Sequence, residues 1–482
     1  MSTSTPHPTE SNPLSLSSTQ LEYQSHPCLS TEQKLEARLE KKRLDKLAKT
    51  QRLARRAARL SSRPSPLTTF PGQHKWLGGA VDPDTGYIYG IPSHYHEIIC
   101  VKPPSSPEET VEISTIGLPN EYKEGSFKWL RGIIHEGYLY GIPAWNTSGV
   151  LQVRLRPRKR GETKRKVQIL PLPNPPEDYE RQKTIGDTGD VDRARWMWHG
   201  GAIGESPTGP AIYAIPSNAQ HVLKVNLSRT PPSVSEIGPL LEGQNKWYGG
   251  ILGMDGCIYG IPYTATGVLR IDPRNDTVQV LGDFVGPYKW HGGLLAKTTG
   301  VIYAFPAHAN EVLAIDTNPS DFPDQSLRVS TIPIQRHDGD TDSATLQYKW
   351  LGGSYGADNC IYGMPSDASS ILRIDPINKV ATTFGTVSEK INKWQGGVLS
   401  PHDQCIYAVP ADMNCILRIH TCPTSDLKVD YVHGDFKHVE DKWQGGFLAK
   451  DGNIYGIPEN IDNVLLIQPA TEDIHPSAKI IL

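Results

Sequence analysis

The chain has 482 residues, enough for several ordinary domains or one long repeat fold, and its 44 Gly and 40 Pro suit many short strands joined by tight turns. The formal net charge of −3 gives no reason to expect the concentrated basic surface that a dedicated nucleic-acid-binding protein needs. Because the 7 cysteines form no C-x-x-C pair and no apolar run is long enough to cross a membrane, neither a disulfide scaffold nor a membrane protein is expected.

The beginning of the chain differs in composition from the remainder. Residues 1–30 are rich in Ser, Thr and Pro and poor in apolar side chains, which predicts disorder. Residues 31–62 contain no Gly or Pro and many basic helix formers, which predicts a basic helix with Thr31 as its N-cap. The alternatives for this helix are a solvated or protein-bound surface helix and a contact for RNA or an acidic partner, and a nucleic-acid partner is considered only for this segment. No signal-peptide pattern is present, so a cytoplasmic or nuclear location is predicted.

One phrase recurs eight times over residues 67–482. Two plain copies are KWYGGILGMDGCIYGIPYTATGVLRIDP from Lys246 and KWQGGFLAKDGNIYGIPENIDNVLLIQP from Lys442. The tryptophans of successive copies are 43 to 69 residues apart, and each copy also has a Tyr three residues before a Pro. The repeat tryptophans are Trp76, Trp129, Trp198, Trp247, Trp290, Trp350, Trp394 and Trp443. Such recurrence indicates a repeat architecture rather than separate domains.

Each copy predicts four short strands. Apolar runs such as GGIL, IYGIP and VLRID are bounded by turn residues, and a fourth run such as TVQVLG follows. We therefore predict an all-β, eight-bladed β-propeller of four-stranded antiparallel blades, preceded by the disordered and helical extension. Seven blades is the alternative if repeat two is displaced, because Arg131 replaces its first glycine. Residues 67–70 and 479–482 are the two candidates for the strand that closes the ring.

The DG, IY and VL-x-ID rhythm resembles the YVTN and NHL propeller repeats, and the glycine pair beside a Trp is similar to kelch repeats. The resemblance covers residues 67–482 and implies a propeller. Since such families include scaffolds, substrate receptors, lactonases and oxidases, it implies no single activity. The Trp precedes the glycine pair here, whereas the glycines come first in kelch, so no catalytic residue is carried over.

A lysine precedes the repeat Trp in seven copies, where the innermost strand begins. Seven ammonium groups around one mouth of the ring would attract an anionic ligand or an acidic partner. The alternative is that each Lys packs its stem on its own Trp and leaves its charge in water. These lysines are Lys75, Lys128, Lys246, Lys289, Lys349, Lys393 and Lys442.

The position between the Trp and the glycine pair varies from copy to copy and holds histidine twice, as His199 and His291. These histidines are further candidate binding residues, and without an assigned carboxylate partner they are weak candidates for acid–base catalysis. The resulting hypothesis is a non-enzymatic binding or scaffold propeller that recognises a protein or an anionic ligand through its lysine-bearing face, without a cofactor and without a catalytic residue.

The alternative function is a metal-dependent hydrolase or lactonase-like propeller with a site in its central channel. Polar residues that follow the repeat Pro vary between blades, as a site requires, and His, Asp and Asn can bind one divalent metal ion. Loop chemistry alone also accounts for several of them, since Asp and Asn favour turns. The candidate ligands are His94, His308, Asp367, Asp412 and Asn460.

Overall fold

The computed structural model describes residues 69–106, 108–145, 149–156, 166–174, 195–319, 325–471 and 475–481. These residues belong to one compact unit that spans residues 66–482. The predicted disorder of residues 1–30 and the predicted helix at 31–62 lie outside the described residues. Within the described ranges the only helices are two short 3₁₀ turns, Asn120–Tyr122 and Gln325–Arg328. None of the helices described there is long and apolar enough to span a membrane.

The described strands form six four-stranded sheets and one eight-stranded sheet, in which the outer strands Val329–Gln335 and Val380–Thr386 of two neighbouring blades pair over a short parallel stretch. They are numbered here as eight units of four strands each. Unit 1 contains β1 Trp76–Val81, β2 Ile88–Pro92, β3 Glu97–Lys102 and β4 Glu112–Gly117. Unit 2 contains β5 Trp129–His135, β6 Tyr138–Pro143, β7 Gly149–Arg154 and β8 Val167–Pro171. Unit 3 contains β9 Trp198–Ser206, β10 Gly209–Pro216, β11 Val222–Asn226 and β12 Ser233–Ile237. Unit 4 contains β13 Trp247–Leu252, β14 Ile258–Pro262, β15 Val268–Asp272 and β16 Thr277–Leu281.

The second half of the chain repeats this pattern. Unit 5 contains β17 Trp290–Ala296, β18 Val301–Pro306, β19 Glu311–Asp316 and β20 Val329–Gln335. Unit 6 contains β21 Trp350–Tyr355, β22 Ile361–Pro365, β23 Ser370–Asp375 and β24 Val380–Thr386. Unit 7 contains β25 Trp394–Leu399, β26 Cys405–Pro410, β27 Cys415–His420 and β28 Lys428–His433. Unit 8 contains β29 Trp443–Leu448, β30 Ile454–Pro458, β31 Val464–Gln468 and β32 Ser477–Ile481.

Every unit is an antiparallel meander whose limits follow the repeat. The first strand begins at the repeat Trp and the second ends at the repeat Pro, so that Trp76 lies opposite Pro92. Proline ends the strand because it has no N–H to donate to a ladder. In unit 8 the fourth strand, β32, pairs with β31. The C-terminal segment, and not the N-terminal one, therefore completes the last blade.

Backbone hydrogen bonds join the units into a closed ring. In every unit the N–H of the residue before the repeat Trp donates to the carbonyl of the residue after the repeat Pro of the preceding unit. The same bond joins unit 1 to unit 8, where the Lys75 N–H donates to the Glu459 carbonyl at 3.3 Å. The first strands contact one another in sequence, and β1 also contacts β29. The predicted β-propeller is confirmed, and unit 2 forms a complete blade between units 1 and 3.

The core lies between neighbouring blades. The repeat Tyr of one unit and the repeat Trp of the next share a buried cluster at every junction; Tyr213 packs with Trp247, and Tyr455 packs with Trp76 across the ring closure. Each Trp also satisfies its indole N–H, which donates to the backbone near the start of its own third strand, as from Trp247 to the Gly267 carbonyl at 2.7 Å. These large aromatic contacts hold the blades at a fixed distance from the axis.

Candidate functional site in the central channel

The seven repeat lysines are buried, with only 0 to 3 % of each residue exposed. Their ammonium groups donate to backbone carbonyls of the adjoining loops. Lys246 is the fullest case, with Ser217, Ala219 and Gly243 carbonyls at 2.8, 2.9 and 3.0 Å. Burial lowers the pKa of Lys246 to about 8. The predicted rim of free charges is therefore corrected for Lys75, Lys128, Lys246, Lys289, Lys349, Lys393 and Lys442, which fasten the loops between blades.

Three of the predicted metal ligands have a different role. The residue before each repeat Lys, or before Met197 in unit 3, has φ between 47° and 51°, which turns its N–H away from its own strand. The side chains of Asp367, Asp412 and Asn460 accept these N–H groups from the next unit, each at 2.7 Å. Asn218 makes the same bond in unit 3, at 2.6 Å. These polar side chains cap the junctions between blades.

The other two predicted metal ligands do not complete a site. His94 and His308 belong to units 1 and 5 and pack edge-on against aromatic rings, Phe127 for the first and Tyr348 for the second. Burial lowers the pKa of His94 to about 4. In the part of the chain that the structure describes, no three His, Cys, Asp or Glu side chains are grouped so that they could hold a metal ion. His94, His308, Asp367, Asp412 and Asn460 lie on five different blades, and the hydrogen bonds and ring contacts described here engage them at the junctions between blades.

The first glycine of the repeat lines the channel. Unit 2 has no glycine at this position. In the other seven units this Gly has φ between 71° and 81°. A Cβ added at Gly249, Gly292 or Gly396 would meet nothing within 4 Å, so open space lies inside the ring at this level. In unit 2, Arg131 occupies the position with φ 64°. Left-handed backbone costs an L-residue about 1–2 kcal/mol, and glycine avoids this cost.

Arg131 therefore puts a guanidinium group where the other blades have no side chain. The residue is exposed to the channel, yet the surrounding protein removes enough water to lower its pKa. No acidic side chain among the described residues forms an ion pair with it. A partly desolvated cation without a counter-ion is suited to pair with an anion.

The two predicted histidines lie within reach of the charge of this guanidinium. His199 of unit 3 and His291 of unit 5 have ring centroids 6.2 Å apart. Burial, and then the charge of Arg131, lower the pKa of His291 to about 4 and the pKa of His199 well below its ordinary value. Both rings are consequently neutral near pH 7. Each Nδ1 is enclosed and has no hydrogen-bond partner among the described residues.

Aromatic and apolar side chains complete the channel wall around Arg131. The His199 ring stacks on Tyr248 at 4.0 Å and 11°, and Tyr248 stacks on Tyr263 at 4.3 Å and 17°. On the side of units 1 and 2, Leu77 and Leu130 are buried beneath Phe127, Trp145 and Trp196. Aromatic rings are therefore found both next to His199 and next to Leu77 and Leu130.

Sequence reasoning found the two histidines and missed Arg131 as a functional residue. The signal was present, since Arg131 is the one departure from glycine at this position in eight copies. In the sequence, the same substitution makes repeat two the candidate for displacement from the ring, because a sequence pattern does not distinguish a lost glycine from a gained side chain.

No family model matches the chain, and no curated protein matches it. Among solved structures, a streptogramin B lyase has 12% sequence identity over 82% of this chain and 94% of that chain, with a TM-score of 0.44. A catalytically inactive virginiamycin B lyase from Staphylococcus aureus, solved with quinupristin, has 14% identity over 82% and 96%, with a TM-score of 0.45. A putative 6-phosphogluconolactonase from Bacteroides uniformis has 10% identity over 73% and 83%, with a TM-score of 0.41.

These neighbours are β-propeller-like proteins, and the similarity concerns the fold alone. The fold itself rests on the strand pairing and the closed ring of hydrogen bonds between units. The particular repeat type, whether YVTN, NHL or kelch, stays a prediction.

Proposed function

We propose that this protein is a non-enzymatic binding propeller that captures an anionic ligand in its central channel, with Arg131 as the residue that binds the anion. The observation that carries the proposal is the guanidinium group itself. It occupies a position that is glycine in seven of eight units, in a backbone conformation that disfavours it, and no acidic partner is described for it. Strain of this kind is retained where the side chain has a use in the folded state.

The surroundings favour binding over catalysis. A general base works best with a pKa near the working pH, whereas the pKa of His291 is lowered to about 4. No carboxylate hydrogen-bonds to His199 or His291 within the described ranges, so neither ring has the orienting partner typical of acid–base pairs. Neutral imidazole rings still serve as polar contacts for an anion.

Acetate is a suitable first probe, observed by saturation-transfer NMR with the full-length protein. Acetamide has the same shape without the charge and serves as the control ligand. We expect saturation transfer to acetate in the wild type, none to acetamide, and loss of the acetate signal in Arg131→Ala. An unchanged acetate signal in Arg131→Ala would overturn the proposal, because the anion would then be bound elsewhere.

A further inference from the structure

A ladder of three stacked rings begins beside Arg131. It consists of His199, Tyr248 and Tyr263, with interplanar angles of 11° and 17° between successive rings. The His291 ring closes its edge, 5.2 Å from Tyr248 and nearly perpendicular to it at 86°. Parallel and edge-on arrangements at these distances are the favourable geometries for aromatic rings.

The ladder is a local departure from the repeat. The position of His199 and Tyr248 holds Leu or Gln in the five units other than 3, 4 and 5. The position of Tyr263, directly after the repeat Pro, holds Ser, Ala or Glu in the seven other units. Since neither residue type is needed to form a blade, the packing of the fold does not account for the ladder.

The ladder ends at His199, in the blade next to the one that contributes Arg131. Tyr248, from unit 4, covers one face of the His199 ring, and no other described ring stacks on that ring. The first strands of units 2 and 3, β5 and β9, contact each other, and Arg131 lies on β5. A planar group attached to an anion at Arg131 would therefore reach the uncovered face of His199.

The charge of the site limits how many negative charges the bound anion can carry. The repeat lysines are occupied by backbone carbonyls, and neighbouring His199 and His291 are neutral near pH 7. The buried lysines keep their charge near pH 7 and donate to backbone carbonyls, whereas no acceptor or counter-ion among the described residues engages Arg131. One cation in a partly desolvated site compensates one negative charge better than several.

We infer that the ligand is a monoanion with a planar ring, an aryl-substituted carboxylate, whose carboxylate pairs with Arg131 and whose ring extends the ladder on the open face of His199. This inference rests on the proposed function and gives it a ligand class. The same chemistry is found in a free aromatic acid and in the aromatic C-terminal residue of a peptide.

The test compares dissociation constants of three carboxylates measured by ligand-observed NMR titration: acetate, cyclohexylacetate and phenylacetate. Phenylacetate should bind at least about fivefold more tightly than cyclohexylacetate, because a planar ring stacks and a puckered ring does not. Equal affinities of the two ring compounds would overturn the inference. If the two ring compounds bind equally well and both lose binding in Arg131→Gly, the proposed function stands while the inference fails. If the binding of neither compound depends on Arg131, the proposed function fails as well.

The matched variant is Tyr248→Leu, because Leu occupies the same position in units 1, 2 and 6 and is compatible with the blade. This substitution removes the aromatic ring that stacks on His199. We expect about fivefold to tenfold weaker binding of phenylacetate, with acetate binding unchanged. Parallel loss of both ligands, or no change in either, would contradict a stacking role. A melting temperature within a degree of the wild type verifies that the variant is folded.

A second arm distinguishes the two sources of the ligand. Phenylacetate is compared with an N-acetylated dipeptide that ends in a phenylalanine carboxylate, and with the same dipeptide as its C-terminal amide. Tighter binding of the free-acid dipeptide than of phenylacetate, with loss in the amide, identifies a peptide terminus. Weaker binding of the dipeptide identifies a free aromatic acid.

Discussion

Replacing Arg131 by Gly is expected to stabilise the protein while it removes anion binding. The φ of 64° at Arg131 costs an L-residue about 1–2 kcal/mol. Glycine removes this strain but loses about 0.5–1 kcal/mol more backbone entropy on folding. The expected net gain is about 0.5–1 kcal/mol, whereas most substitutions cost about 1 kcal/mol. For a cooperative unit of about 400 residues, this corresponds to a rise of about 1 °C in the melting temperature.

The assay combines differential scanning calorimetry with the acetate titration, and Arg131→Ala separates strain from charge. Alanine removes the guanidinium but keeps an L-residue at this φ. Both variants should lose acetate binding, and only the glycine variant should gain stability. If alanine stabilises as much as glycine, the gain comes from removing a desolvated charge rather than from backbone strain.

A third measurement links Arg131 to its neighbours. Because the Arg131 charge contributes to the lowered pKa of His199 and His291, both pKa values should rise in Arg131→Gly, which an NMR titration of the imidazole protons detects.

A glycine variant that melts more than about 1 °C below the wild type would refute the reasoning, since Arg131 would then contribute packing or a partner that outweighs its strain.

The remaining predictions concern the loops between blades and the metal. Lys246→Met leaves the Ala219 and Gly243 carbonyls without this donor and should cost about 2 kcal/mol near pH 7.5 in guanidinium titrations. Since the pKa of Lys246 falls from 10.5 to about 8 on folding, the unfolded state binds more protons between these values. The free energy of unfolding of the wild type therefore rises with pH across this window. The destabilisation caused by Lys246→Met should grow by about 1 kcal/mol per pH unit. The control variant Lys428→Met, at an exposed lysine, should show neither the cost nor its pH dependence. Asp412→Ala removes the acceptor of the Asp441 N–H and should cost about 1 kcal/mol, whereas Asp412→Asn keeps it and should melt like the wild type. Mass spectrometry after dialysis in metal-free buffer should find well under one divalent ion per chain; a stoichiometric ion would restore the metal-site hypothesis.

The blade architecture follows from local rules that a sequence displays. Four short strands in each repeat are predicted because the repeat Trp, the Asp-Gly type turn and the Ile-Pro pair recur in a fixed order, and the structure places the first strand from Trp76 and ends the second at Pro92. The pairing of Tyr455 with Trp76 follows from the same pattern once the ring closes. Each of these features depends on residues of one repeat or of the next repeat along the chain. It is therefore visible as a pattern that recurs in eight copies.

The lysines show where this kind of reasoning ends. A Lys before a Trp at the mouth of a ring looks the same in sequence whether its ammonium group faces water or a backbone carbonyl. The Lys246 ammonium group binds three carbonyls from two different loops, which lie 3, 27 and 29 residues away along the chain. Such convergence depends on how loops fold over one another, which the repeat pattern does not specify.

The sequence by itself determined the number of repeats, the limits of their strands and the variable positions that face the axis, because short-range turn chemistry and strand alternation fix them. Only the tertiary structure decided which of those positions meet. Arg131, His199, Tyr248 and His291 come from four blades and are up to 160 residues apart in the chain, yet ring closure brings them around one axis. Their function as a set depends on distances and desolvation across the channel, and these exist only once the ring is closed.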